Sequence, residues 1–397
     1  MKTLQTILFL VFSLILASFT TGCGQNVDPD ANNNSNSSAY FPLPESEGEV
    51  HISEEIDFQV QTVVEGLEVP WGMAFLPDGS VLISERDGDL RIVRDGELQE
   101  SPIDGVPEVW ANGQGGLLDV ALHPEYEDNG WIYISYSKPG DGGAHTAIIR
   151  GKLNDNSLTD IEELFAGEPP TDRGQHFGSR IVFDPDGYMY FSIGDRGQMD
   201  LAQDINSSNG KVYRLHDDGS IPDDNPFVGQ DGKDEAFNYG HRNPQGMAVH
   251  PETGAVWTHE HGPRGGDEIN IEQPGANYGW PVISYGINYD GSVLTDETER
   301  EGMEQPVHYW DPSIAPSGMA FISGDTYPAW EGNIMVGALS FQLLSRVVLD
   351  GDEFVQEERL LEGIGRIRDV ELAPDGYIYF SNESDGTIHR IIPVDSE

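Results

Sequence analysis

The chain has a single cysteine, Cys23, among its 397 residues, so no disulfide can form within it. Basic residues are scarce as well: 21 Lys and Arg stand against 69 Asp and Glu, a formal net charge of −48. Such a surface repels phosphates and excludes nucleic acid as a partner. Helical periodicity is scarce, and 47 glycines with 25 prolines would interrupt long helices. There is no GxSxG elbow, no Walker loop, no GxGxxG after a strand, and no HExxH. What the chain does hold is 10% aromatic residues in regular apolar runs, which points to a globular core beneath an acidic surface. Carboxylate in this excess suits life in high salt, where screening removes most of the repulsion.

One apolar run, Ile7 to Phe19, follows a lone lysine and gives way to small residues ending at Cys23. This is the plan of an export signal over residues 1–23. Its end resembles a bacterial lipobox with Cys23 as the lipidated residue, although Thr20 stands where an aliphatic residue is usual. Plain secretion and a retained membrane anchor are the alternatives. Residues 24–55 are rich in Asn, Ser, Asp, Pro and Glu and read as a tether. The folded part is expected over 56–397, exported to the periplasm or cell surface.

Within it one pattern recurs six times: an apolar strand, a Pro-Asp-Gly-like turn, and a second strand rich in β-branched and aromatic residues. The copies start at Trp71, Leu117, Ser179, Gln245, Ser317 and Ile367. Their turn prolines, Pro77, Pro124, Pro185, Pro251, Pro328 and Pro374, are 46 to 77 residues apart, which suits four-stranded blades with insertions. The expectation is an all-β, six-bladed propeller, with a two-domain β-sandwich as the other architecture. The run FQVQTVVEG from Phe58 is placed to complete the last blade and close the ring.

The third copy carries the chemistry. If Asp184 and Tyr188 close its turn, antiparallel counting sets His176 opposite Arg196, one place from Asp195. A carboxylate that fixes the imidazole tautomer makes a general base; the same pair also serves as a plain structural hydrogen bond. Loops at one end of propeller strands line the central funnel, and polar residues at matching ends should converge there. Gln114, His176, Arg242, Asn243, Arg366 and Arg368 occupy such ends. Arginines there hold carboxylates bidentately or stabilise an oxyanion, or else pair with the abundant surface carboxylates. The loop HEHGPRGGDEINIEQPGANYGW offers carboxylates and carbonyls that suit calcium better than zinc.

Taken together, GQGGLLDVALHP, HFGSRIVFDPDGYMYFSIGDRG, YGHRNPQGMAVHP, EHGPRGGDEINI, NYGWP, SGMAF and GRIRDVELAPDGYIYF resemble the soluble quinoprotein aldose and glucose dehydrogenases, the glucose/sorbosone dehydrogenase family. The resemblance runs in order through nearly the whole folded part. It implies a propeller holding pyrroloquinoline quinone, one Ca2+ on the quinone and another Ca2+ with a structural role. It makes His176 the base toward the sugar's anomeric hydroxyl, supported by Asp195, with Arg242 stabilising charge on the quinone oxygen. Asn243, Gln114, Tyr289, Arg366 and Arg368 would hold the cofactor's polar edge. Gly262 and Pro263 match carbonyl ligands of the quinone-bound calcium; Glu268 and Tyr278 match the other metal site. The partners implied are an aldose sugar and an external electron acceptor, for a monomer or homodimer whose only link to a membrane is the lipid on Cys23.

One position departs from the family pattern: Ser340, in VGALSFQLLSR, stands where a lysine commonly reaches the cofactor. A binding-only carbohydrate propeller, motivated by that loss, and a calcium-dependent lactonase, by analogy of fold, are the competing readings.

Overall fold

The six copies fold as six antiparallel sheets, because each turn sequence sets two strands side by side with apolar residues on both faces. The computed structural model describes residues 40–44 and 48–394, all within the unit Ser38–Glu397. The expected export signal, Cys23 and the first part of the tether lie outside the described residues.

The innermost strands are β1 (Pro70–Phe75), β2 (Leu117–Leu122), β3 (Ile181–Phe183), β4 (Pro244–Val249), β5 (Pro316–Phe321) and β6 (Ile367–Leu372). Each packs on the next, and β6 packs on β1, so the sheets form a closed ring of six blades. Five blades have four strands each in chain order. The sixth is completed from the other end of the chain: Phe58–Val64 pairs with Thr387–Pro393, with Phe58 opposite Pro393 and Val64 opposite Ile388. The closing role expected for the run from Phe58 is borne out. Helix is confined to Tyr126–Asn129 and two short 3-10 turns among the described residues.

Cores form between neighbouring blades, where sheets face each other. Tyr133, Ile148, Phe191 and Tyr213 fill one such space, and Phe191 stacks on Tyr213 with centroids 5.0 Å apart. Fully burying a side chain of this size contributes roughly 1.5–3 kcal/mol. The fold begins earlier than the expected boundary at Ile56. Val50–His51 adds a short outer strand to the sixth blade. Phe41 is buried against Tyr379, and its carbonyl accepts from Arg390 Nη1 at 3.0 Å. An isolated aromatic in a polar stretch carries no periodic pattern, so the sequence hides this docking.

On the ring axis Arg180 forms a plug, its Nη1 2.9 Å from Asp119 Oδ1 and 2.7 Å from Asp369 Oδ1. The plug divides the axis into two mouths. One, of about 490 Å³, is lined by the outgoing ends of the inner strands, with Glu371 beside the plug. The other is lined by Gln114, Arg366 and Arg368, with Gly262, Pro263 and Tyr289 in an adjoining cavity.

Candidate active site

In the third blade Ile181 faces Phe191 and Phe183 faces Met189, the same offset that sets His176 against Arg196. Regular pairing stops at Ile181, because His176, Gly178 and Ser179 have φ of 57°, 64° and 98°. The chain therefore leaves the sheet in a tight loop. A Cβ on Gly178 would lie 2.7 Å from the Ser192 carbonyl oxygen, so glycine alone fits. Left-handed backbone at a non-glycine costs roughly 1–3 kcal/mol and persists where surroundings enforce it. Here Gln114 Oε1 accepts from the His176 amide at 2.7 Å, and Thr146 Oγ1 donates to the Phe177 carbonyl at 2.6 Å. Arg196 lies 3.5 Å beneath the Phe177 ring and donates to the carbonyls of Arg173 and Gln175.

The loop brings His176 Nδ1 to 2.6 Å from Asp195 Oδ1. Asp195 also accepts from the Gly197 amide at 2.6 Å and from Trp280 Nε1 at 2.8 Å. Burial alone would raise the Asp195 pKa, but His176 and its other partners hold it below the usual carboxylate range. An ionised carboxylate only accepts, so Nδ1 carries the hydrogen and Nε2 carries the lone pair. Nε2 has no partner among the described residues, yet is not one of the fully occluded atoms. Burial lowers the His176 pKa, and the bond to Asp195 only partly opposes it. A neutral imidazole with an accessible lone pair can take a proton.

The neighbouring blade supplies Arg242, whose backbone carbonyl accepts from the Asp195 amide at 2.8 Å. Its Nη1 donates to the His261 carbonyl at 2.9 Å, its Nη2 lies 3.5 Å from the Tyr289 hydroxyl, and its Nε is buried without a partner. Glu260 fixes this segment, accepting from the amides of Arg242 and Asn243 at 2.5 and 3.2 Å and from His241 Nδ1 at 2.9 Å. Burial would lower the His241 pKa, but Glu272 and Glu260 raise it to about 10. Asn243 is fully enclosed; its Oδ1 accepts from the Gly178 amide at 3.3 Å and from Gln245 Nε2 at 3.4 Å. Its Nδ2 is unpaired but just as enclosed, and Asn243 lines neither cavity at this mouth, so it presents no exposed atom to a ligand.

Arg366 and Arg368 meet at the same mouth. A cavity of about 420 Å³ is lined by both, with Gln114, Phe177, Gly178 and Ser340. A second, of about 620 Å³, shares His261 and Ser340 with it and is lined by Gly262, Pro263 and the largely exposed Tyr289. Sequence reasoning missed three residues here. Glu383 bridges Arg366 and Arg368, Trp280 orients Asp195, and Glu260 fixes the Arg242 backbone. The Glu383 bridge follows from the sixth copy's own turn, since Ile367 pairs with Asn382 and places residue 383 across from Arg366. Glu260 ends the second strand of the fourth copy, paired with Pro244 and so within reach of the turn pattern, whereas Trp280 lies on an insertion that the pattern does not reach.

The residues fit an anionic ligand with a cation. Nη2 of Arg366 and of Arg368 has no partner among the described residues and is not occluded. The carbonyls of Gly262 and Pro263 accept no hydrogen bond there either, leaving hard oxygens of the kind calcium takes. Glu268 is half-buried near Glu260, with Asn270 Nδ2 at 3.5 Å, and desolvation pushes its pKa up to about 8. It borders a pocket of about 10 Å³ with Glu260, Tyr278 and Trp280, room for about one ion or water. The Tyr278 hydroxyl already donates to the Ile271 carbonyl at 2.6 Å and accepts from the Gln273 amide at 2.8 Å, which leaves its main-chain oxygen for a metal.

Residues 67–390 match the family described as Glucose / Sorbosone dehydrogenase. The aldose sugar dehydrogenase of Escherichia coli strain K12 is 45% identical over 343 residues, covering 84% of this chain and 92% of that protein. Quinoprotein glucose dehydrogenase B of Acinetobacter calcoaceticus is 28% identical over 440 residues, covering 89% and 91%. The PQQ-bound aldose sugar dehydrogenase of Streptomyces coelicolor superposes with a TM-score of 0.72 at 29% identity, covering 85% of this chain and 98% of that one.

Proposed function

The chain is an oxidoreductase of the glucose/sorbosone dehydrogenase family, and from that premise we propose that it oxidises the anomeric C1 hydroxyl of aldose sugars to the lactone, with pyrroloquinoline quinone and Ca2+ as cofactors and an external electron acceptor. The observation that carries this reading is the buried Trp280–Asp195–His176 relay, tied through the His176 amide to Gln114, which lines the cavity with Arg366 and Arg368, while Arg242 reaches His261 and Tyr289 of the adjoining cavity. The quinone, when bound, supplies a two-electron acceptor for hydride from the sugar carbon. Arg366, Arg368 and Gln114 would hold it, with Gly262 and Pro263 carbonyls for its calcium. Glu268 and the Tyr278 carbonyl would hold the structural ion. Asp195 keeps the proton on Nδ1, so His176 Nε2 takes the hydroxyl proton as C1 is oxidised. Asp195 then stabilises the imidazolium, as Trp280 and the Gly197 amide keep its carboxylate in place. Arg242 sits where it can offset negative charge developing near the mouth. For residues 1–23 we propose an export signal with Cys23 as the lipid attachment point, followed by the tether that leads into the propeller.

The test is reconstitution of the purified chain with quinone and calcium, followed by dye reduction with several aldoses across pH. Activity should require both additions. The sign of its pH dependence follows from His176. A base works in its neutral form, and a lowered pKa keeps the imidazole neutral as pH falls through about 6.5, the ordinary histidine value. Turnover should therefore hold at pH 6.5 and fall only below it. No reduction with any aldose would overturn the proposal.

Ser340 offers a second test. It is exposed, borders both cavities, and its amide donates to the Ile314 carbonyl at 2.9 Å. Ser340→Lys adds an ammonium beside an anionic ligand, worth about 1.4 kcal/mol. Its dissociation constant for the quinone should fall about tenfold in an absorption titration.

A further inference from the structure

The two arginines that open the sixth blade are not free. Glu383 lies across the hairpin from them, its amide donating to the Arg366 carbonyl at 2.9 Å. Its Oε1 is 2.5 Å from Arg366 Nε and its Oε2 is 2.9 Å from Arg368 Nε. The side chain is 11% exposed, and among the described residues it is the only carboxylate lining the 420 Å³ cavity. Burial works to raise its pKa, but Arg368 and Arg366 prevail and hold it below the usual glutamate range. Glu383 is therefore a fixed negative charge within the cluster that faces the ligand.

The arginine forks do not depend on Glu383 alone. Arg366 Nη1 donates to the Leu339 carbonyl at 3.0 Å, and Arg368 Nη1 donates to Gln245 Oε1 at 3.1 Å and Ser317 Oγ at 3.2 Å. Each guanidinium is thus anchored from a second side, with Nη2 left over. The remaining cation on the lining is Arg86, 3.5 Å from Asp87 at the surface, and Ser340 adds none.

We propose that Glu383 is an internal counter-anion that keeps the arginine pair together when the funnel is empty and weakens the hold on an anionic ligand when it is filled. This rests on the reading that the funnel takes the quinone tricarboxylate. Two adjacent guanidiniums in a partly buried site repel each other, and one carboxylate shared between them offsets that repulsion. The same carboxylate repels an incoming one at short range, where screening by solvent is weak. Glu383 sets affinity through charge, as a positioning residue that touches neither reacting atom.

The experiment is a titration of the full-length, cofactor-free chain with pyrroloquinoline quinone at saturating calcium, read by absorption and by tryptophan fluorescence at several salt concentrations. Glu383→Gln and Glu383→Ser both remove the charge, and each should bind at least about tenfold more tightly than wild type, with a steeper loss of affinity as salt rises. Glu383→Asp keeps the charge and should stay within about threefold of wild type. Unchanged or weaker binding in either neutral variant, with its melting transition intact, overturns the proposal. So does a tenfold loss in Glu383→Asp, because geometry rather than charge would then set the affinity. Failure of wild type itself to bind the quinone would instead overturn the reading of the funnel.

Discussion

Replacing His176 with alanine is expected to lower kcat for aldose oxidation by roughly 10²–10⁴-fold, the usual contribution of a positioned general base. The fold should survive. The strained loop is held by the Gln114 contact to the 176 amide, by Arg196 beneath Phe177, and by Thr146, none of which uses the imidazole. Quinone affinity should change little, because the anionic ligand is held by the arginines. The fall in turnover at low pH should vanish with the residue that produces it. Asp195→Asn separates base from orienter: an amide opposite Nδ1 can donate, which would favour the other tautomer and place the lone pair away from the substrate. Its loss should appear in kcat and shift the acid limb. Stopped-flow reduction and a pH profile of each variant decide the matter; an alanine variant within about threefold of wild type would remove His176 from the chemistry.

The closeness of His176 to Asp195 was countable in the sequence because a tight turn transmits register. Pro185-Asp186-Gly187 closes with the Asp184 amide donating to the Tyr188 carbonyl at 3.0 Å, and the offset then carries outward to His176 and Asp195. The propeller was legible for a similar reason: six copies of one hairpin, each too small to bury its faces alone, must stack. The same counting across the sixth turn leads to Glu383, since Pro374 to Gly376 sets Ile367 against Asn382. Contacts between blades were out of reach. Trp280 meets Asp195 from 85 residues away, and Arg180 meets Asp119 and Asp369 across the axis. Such neighbours are fixed by ring geometry and by insertion loops, which have no period to read. Asn243 illustrates the limit: its place at a strand end was apparent, but its enclosure depends on Gly178 of the third blade as well as on its near neighbour Gln245.

A chain begun after Val64 should fail to give a stable propeller, the largest stability effect expected for any change remote from the funnel. Phe58–Val64 is the strand that joins the two ends of the chain, and its loss leaves the backbone groups of Thr387–Pro393 as an open edge. It also empties a core position. Phe58 is fully buried, 5.9 Å from the Trp330 ring in an edge-on contact, within a cluster that includes Tyr327, Phe380 and Ile391. Without the strand, the sixth blade keeps a covalent tie only to the fifth, and its join to the first is left to the packing of β6 on β1 and the Met73 amide's bond to Asp369 Oδ2 at 2.9 Å. Phe58→Ala isolates the packing share of this effect: a buried phenylalanine truncated to alanine costs about 3–5 kcal/mol, comparable to a large part of a domain's net stability. Thermal unfolding should show a lowered but still cooperative transition for Phe58→Ala. The truncated chain should aggregate, and its inner strands should lose hydrogen-exchange protection in every blade, because closure is a property of the ring as a whole. Exchange confined to the sixth blade, with the other five protected as in wild type, would refute closure as the source of stability.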